Sequence, residues 1–547
     1  MKSKNMRRVA GILVVVMLLQ LLTGCSLGKA ATNGESAPVD DSVLQIGVVA
    51  KGYGDEYLRE LVAAYEAKTG VKTQLVKSTA DGSTIKASLQ AGPKHNKLDV
   101  IYDIWNSAMN ALATADYVPG YERCFAPISD IYNKVPEGWG DERTLKEMTM
   151  EYALKACTWG GESEGYGDGN QYFVCYAMGM EGLIYNVSLF EKYGLKEPKT
   201  TTEFFALLEK MKTINNGSLA KNKDGRDIYP YIYTGKVNYN YYLATAWWAQ
   251  YDGVDNFNLA IEGKNANGVY TADSQKSIGK LSAFSHVQKL LDQENGYVDQ
   301  LNYSDTFTNV QLKFLDEQAF MMSTGDWIER EMEGNFKGQS LNIAFMRMPV
   351  NSDIIMQCDT VKTETQLVET IAYIDGETSE RPAYVSDADL KRLTEARSVS
   401  CSEGNQHIAY IPAYSNMIEE AKDFLLFTMS KEGQEIMLKH CYGNIATLDI
   451  DSTKLAGQDA ISSLQASKYK MLDSNVGLTF VGNSYSHPMA YAAGVQTFYG
   501  APTLENAFGV VKTSVSYMTA QQVWEKEYRS VAGNWDDMMK KAGVSNR

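Results

Sequence analysis

Aromatic side chains in this 547-residue chain come in runs that can present flat faces to a ligand. Tyr239, Tyr241, Tyr242, Trp247 and Trp248 all fall within residues 238–253, Trp327 follows Gly325-Asp326, and Tyr485 and Tyr491 stand further on. An indole or phenol face packs against the C–H side of a sugar ring, while amide, carboxylate or guanidinium groups meet its hydroxyls. The same faces with acids beside them would also suit a cationic solute. Sharper chemistries fit less well. The glycines of EGYGDGN (164–170) neither follow a clear strand nor open a helix, which argues against a dinucleotide cradle. KNKDGRD (221–227) has the look of a calcium loop, but the pattern would need acids at Ala220 and Tyr231. There is no Walker A sequence and no CxxC, and the five His are scattered, so no metal site and no cofactor is expected. A secreted carbohydrate-active enzyme would need two carboxylates about 5 to 9.5 Å apart. No catalytic motif among the 67 acids supports such a pair.

The amino terminus speaks to location. Lys2, Lys4, Arg7 and Arg8 form a basic start, an uncharged apolar run follows from Val9 to Leu22, and Leu22-Thr23-Gly24-Cys25 ends it. Residues 1–24 read as a secretory signal peptide. The run is marginal for an uncleaved anchor across about 30 Å of hydrocarbon. Its last four residues resemble a bacterial lipobox, which implies cleavage before Cys25 and a diacylglyceryl group on that Cys. The expectation is a lipid-anchored protein on the outer face of the cytoplasmic membrane, extracellular in a single-membrane bacterium and periplasmic otherwise. Residues 25–42, rich in small and polar residues without periodicity, read as the lipidated Cys and a flexible tether. The formal charge of −15 would repel nucleic acid. Beyond Cys25 stand Cys124, Cys157, Cys175, Cys358, Cys401 and Cys441, sparse and far apart, and buried free thiols fit them as well as disulfides.

Element types alternate at the start of the mature chain. Val43 to Ala50 predicts a strand, Asp55 to Thr69 a helix with Leu58, Leu61, Val62 and Tyr65 on one stripe, and Gly70 a stop. Val71 to Val76 predicts a second strand, Ser83 to Ala91 a second helix, and Leu98 to Tyr102 a third strand. This βαβαβ pattern points to an α/β lobe with parallel strands and a ligand crevice at their carboxyl ends. The chain after Cys25 is too long for one compact core, so at least two lobes are expected.

Four regions, taken in order, carry a family resemblance. YLRELVAAYEAKTGVKTQLV (57–76) with LDVIYDIW (98–105), GLIYNVSLFEKYGLKEPKTTTEFFALLEKM (182–211), EQAFMMSTGDW (317–327) and EEAKDFLLFTMSKEGQEIM (419–437) resemble family 1 extracellular solute-binding proteins. The resemblance implies a two-lobe, periplasmic-binding-protein-like Venus flytrap that closes on its ligand by a hinge. It also implies a monomer that captures a sugar, an oligosaccharide by preference, and delivers it to the permease of an ABC importer without covalent chemistry. The same fold binding a polyamine, a chelate or an anion, or sensing without transport, is the alternative. On this reading residues 43–180 begin the first lobe, 181–325 begin the second, 326–400 return to the first with an insertion, and 401–547 are shared between the lobes. Residues 120–175, 350–400 and 450–547 exceed what the core family needs.

Site residues follow from the resemblance. Trp327 takes the place of a stacking aromatic. Lys51 and Tyr53 lie in the loop after the first strand, and Trp105 and Asn106, with Asp103 as the alternative, at the mouth of the third. Glu181 precedes the crossover strand. Tyr241 stands where the family places a tyrosine over the sugar, and Trp247 is a further candidate from the same aromatic run.

Overall fold

The computed structural model describes residues 42–545 apart from 50–53, 79–82, 94–96, 104–107, 114–116, 141, 162–165, 337–340, 403–406, 441–443, 451–454, 456–461, 483–486 and 492–502. In chain order its strands are β1 (Val43–Val49), β2 (Lys72–Ser78), β3 (Val100–Asp103), β4 (Thr158–Gly161), β5 (Tyr166–Gln171), β6 (Val174–Cys175), β7 (Glu181–Asn186), β8 (Ala220–Lys221), β9 (Asp227–Ile232), β10 (Ala319–Gly325), β11 (Ile343–Phe345), β12 (Val399–Cys401), β13 (Ile408–Tyr410) and β14 (Thr479–Val481). Helices α1 (Glu56–Thr69), α2 (Tyr241–Asp252), α3 (Ile278–Leu291), α4 (Ile328–Met332), α5 (Ser463–Leu472), α6 (Leu504–Phe508) and α7 (Ala520–Gly533) pack around them.

The first lobe forms as its periodicity predicts. The carboxyl half of β1 is buried on both faces, as befits a strand with parallel neighbours, and it pairs in parallel with β2 and β3. Helix α1 buries Tyr57, Leu58, Leu61 and Tyr65. It ends where Gly70, at φ 74°, turns its N–H onto the Glu66 carbonyl, a left-handed conformation that glycine adopts without strain. The late strand β13 enters this sheet antiparallel to β3 and β6, giving the order β2-β1-β3-β13-β6. Residues 120–175 add to the same core through Phe125, Ile131, Leu145 and Trp159.

The second sheet runs β14-β12-β7-β10-β9-β8, with β11 also on β7. Helix α2 lies under it and is buried at every position from Tyr241 to Tyr251. The expectation that residues 326–400 return to the first lobe is corrected here, because β11 and β12 both pair with β7 and keep that segment in the second lobe. Its helical part builds a small core of its own around Leu367, Ile371 and Leu393. The chain passes between the sheets at 176–180, again between β12 and β13, and again beyond Met437, where Met178 and Ile445 exchange backbone hydrogen bonds.

Of the C-terminal segments, α5, α6 and α7 pack in the second lobe, whereas His487 lies 4.6 Å from the Tyr166 ring of the first. Helix α7 packs on α3 through Val523, and the Lys280 ammonium, buried beneath Trp248, sits 2.9 Å from the Glu527 carboxylate. Burial raises Glu527 to about 7 and lowers Lys280. Cys124, Cys157, Cys175, Cys358 and Cys401 are buried free thiols, and Cys441 lies outside the described residues. No helix among the described residues is long and apolar enough to cross a membrane.

Candidate functional site

Trp327 stands where the two lobes meet. Strand β10 is buried along its whole length and ends at Gly325; Asp326 and Trp327 then turn the chain into α4. The indole is half-buried and packs against the cores of both lobes. Its Nε1 is buried with no hydrogen-bond partner among the described residues. A buried N–H left without an acceptor is costly, and a solute hydroxyl would satisfy it. A Cβ on Gly325 would lie 2.1 Å from the indole ring, so only glycine lets the ring fold back over the end of its own strand.

Second-lobe aromatics complete the surface. The ring of Tyr239 lies 5.6 Å from the indole at 62°, and that of Tyr242 lies 6.3 Å from it at 61°. Both are edge-to-face arrangements. The turn that carries them is held from below. Ser323 donates its hydroxyl to the Tyr239 carbonyl at 2.8 Å, and the backbone and side-chain nitrogens of Asn240 donate to Glu505 Oε1 of α6 at 2.9 and 2.7 Å. Tyr231 donates to Asn240 Oδ1 at 2.6 Å. Burial raises the Glu505 carboxyl to about 7, against the hydrogen bonds from Asn240.

Behind Trp327 lies a buried ion pair. Asp326 and Lys468 of α5 are both fully buried, with Nζ 2.7 Å from Oδ2. The same Oδ2 accepts the Met180 N–H at 3.0 Å, and the Asp326 N–H donates to the Met180 carbonyl at 3.2 Å. The end of β10 is thereby tied to the first crossing between the lobes. On the other side of Trp327, Arg330 of α4 reaches Glu56 of α1 at 2.8 Å, an ion pair between second and first lobe.

The expected site residues divide into groups. Glu181 opens β7, buried, opposite both Gly325 and Cys401. Burial and then the Glu181 carboxylate raise the Cys401 thiol well above its ordinary range. Glu181 and Trp327 are thus brought to one end of the second sheet. Tyr241 is a correction of register: it is buried, its ring tilted at 42° against that of Tyr242 with centroids 4.2 Å apart, and Tyr239 and Tyr242 are the rings that meet Trp327. Trp247 is corrected to a core residue, fully buried against Phe204 and His286 with Nε1 donating to the Pro349 carbonyl at 3.1 Å. Asp103 is buried in the first lobe and accepts the Tyr410 hydroxyl at 2.8 Å. Cys25, Lys51, Tyr53, Trp105 and Asn106 lie outside the described residues.

A cavity of about 1250 Å³ also opens between Tyr152 and Lys155 on one side and Asn258, Glu262 and Phe480 on the other. Several of its acids are already engaged: Glu147 accepts the Thr144 N–H at 2.8 Å, Glu262 meets Lys155 and Lys264, and Asp449 meets Arg143. Among the described residues no group of three or more His, Cys, Asp or Glu could hold a metal ion.

A family model for bacterial extracellular solute-binding proteins matches residues 60–454. No curated protein matches the sequence. Among solved structures, the solute-binding protein RafE in complex with raffinose is similar at 15% identity, covering 89% of this chain and 99% of that one, with a TM-score of 0.54. The solute receptor AcbH, which prefers β-D-galactopyranose, is similar at 13% identity over 91% and 99%, with a TM-score of 0.55. An ABC substrate-binding protein from Listeria monocytogenes in complex with cycloalternan is similar at 13% identity over 92% and 99%, with a TM-score of 0.54. At these identities the likeness is one of fold: two lobes around a cleft.

Proposed function

The chain belongs to the bacterial extracellular solute-binding proteins, and from that premise we propose that it captures an oligosaccharide between its lobes and delivers it to an ABC importer, held at the membrane by a lipid on Cys25. The observation that carries the sugar reading is Trp327: a half-buried indole between the two cores, flanked by Tyr239 and Tyr242, with a buried N–H that has no partner among the described residues. A ring face offers apolar burial to a pyranose and the N–H offers a donor to its hydroxyl, a combination few small solutes use so fully. The sugars bound by RafE, AcbH and the Listeria protein make the same class the first to try. Binding, closure and release require no covalent step.

Titration calorimetry with raffinose, stachyose, galactose and a xylo-oligosaccharide, beside spermidine as a cationic control, tests the class. At least one sugar is expected to bind and spermidine to give no heat. Trp327→Ala is expected to weaken the sugar roughly five- to a hundredfold, the loss of about 1 to 3 kcal/mol of apolar and aromatic contact. Binding of spermidine alone would overturn the sugar reading, and a folded Trp327→Ala protein with parental affinity would remove Trp327 from the site.

A further inference from the structure

Helix α5 lies in the C-terminal region whose role the sequence leaves unassigned, yet it grips the chain on both sides of Trp327. Before it, Lys468 Nζ meets Asp326 Oδ2 at 2.7 Å with both side chains fully buried. After it, the Ser462 hydroxyl at the start of α5 donates to Glu329 Oε2 at 2.7 Å. The helix is itself pinned to the second sheet. Ser463 donates to the carbonyls of Leu341 and Ile343 at 2.7 and 2.8 Å, and Ser467 accepts the Phe345 N–H of β11 at 2.9 Å. Lys468 also lies 5.7 Å from the Phe345 ring.

We infer that α5 positions the Trp327 indole, through Lys468 on Asp326 and Ser462 on Glu329, and that Lys468 is a positioning residue for the ligand site. The inference rests on the proposed role of Trp327. A buried ion pair is weak evidence for stability, since desolvation opposes the Coulomb attraction and an apolar pair of like volume often serves as well. What this pair has that an apolar pair lacks is direction. The shared Oδ2 fixes Asp326 against Met180 as well as Lys468, so the residue before Trp327 is held at three points, two by Oδ2 and one by its own N–H. A ring that must present one face to a solute and its N–H to a hydroxyl needs that kind of support from its surroundings.

The test is a paired substitution, Asp326→Asn with Lys468→Met, which removes both charges, keeps an acceptor for the Met180 N–H and conserves volume. Protein labelled with 5-fluorotryptophan is followed by fluorine NMR, with the Trp327 resonance assigned from Trp327→Phe. The expected result is a Trp327 resonance that moves or splits while those of Trp247 and Trp248 stay. Raffinose affinity, or that of the tightest sugar in the panel above, should fall about tenfold in the parent and less than twofold in a Trp327→Ala background. Ser462→Gly, which retains an acceptable helix cap, should move the same resonance less and serves if the paired variant does not fold. An unmoved Trp327 resonance overturns the inference whatever the ligand, as does an equal affinity loss in the Trp327→Ala background. If Trp327→Ala alone leaves sugar binding intact, the reading of the site fails, and the positioning role fails with it.

Discussion

Gly325 and Trp327 form one unit, because the indole occupies the space that any Cβ at 325 would fill. Gly325→Ala is expected to push the ring off the cleft and weaken sugar binding by about tenfold. Overpacking of this kind also costs about 1 to 3 kcal/mol of stability, which a thermal melt will register. Trp247→Ala should do the reverse, losing about 3 to 5 kcal/mol of stability because the ring is core, with no direct effect on affinity in whatever fraction folds. Glu505 makes a pH prediction. Its carboxyl titrates at about 7 in the fold against 4.5 ordinarily, so the folded state holds an extra proton across that window. Its contribution is therefore complete below pH about 4.5 and is lost as the pH rises through about 7, by at most about 3 kcal/mol. Glu505→Gln should flatten this slope in melts taken between pH 4.5 and 8 and leave the protein more stable above pH 7. If parent and variant give parallel profiles, the carboxyl is ionised at little cost and the shift is wrong. The proposed place of Trp327 at the site was read in the sequence only from the motif around it. The choice among Tyr239, Tyr241 and Tyr242 was not, because α2 is apolar all round and shows no stripe. Nothing in the sequence marks Lys468 as buried, since its burial comes from contacts 142 residues away.

Among elements, the parallel βαβαβ start was readable from alternating periodicities and from Gly70, whereas the placement of 326–400 was not. Strands β11 and β12 are three residues each, too short to leave a pattern, and only their pairing with β7 puts the segment in the second lobe. Helix α7 packs on the second-lobe core. It covers Lys280 with Glu527, donates the Trp524 indole N–H to the Ser277 carbonyl, and receives Gln288 Oε1 at its first backbone N–H. Ending the chain after Met518 would expose Val287-side core and strand a buried ammonium beside Trp248. The truncated protein is expected to melt about 3 °C below the parent, as a loss of a few kcal/mol implies at this size. An unchanged melting temperature would make α7 a surface decoration.

At the scale of the molecule, ion pairs among the described residues join the lobes: Glu56 with Arg330, and Lys155 with Glu262 at 2.7 Å. Burial works to raise the Glu262 carboxyl, but Lys155, His487 and Lys264 outweigh it and hold it at about 2. Closure on a sugar should shrink the radius of gyration without a change in secondary structure, which small-angle scattering and circular dichroism measure together. An identical scattering curve at saturating sugar would exclude the hinge. A last consequence follows from the cysteines. Burial raises the Cys157 thiol to about 12 and the Cys358 thiol to about 11, and pushes Cys124, Cys175 and Cys401 higher as well. Only the thiolate attacks a disulfide, so in the folded protein these five are out of reach of exchange. For a member of an extracellular family this means a chain that can mature in an oxidising medium without an oxidase or an isomerase, provided it folds before its thiols are found. Ellman's reagent should accordingly count five more thiols in denaturant than in the native protein, and a delay in folding should be paid in mixed disulfides.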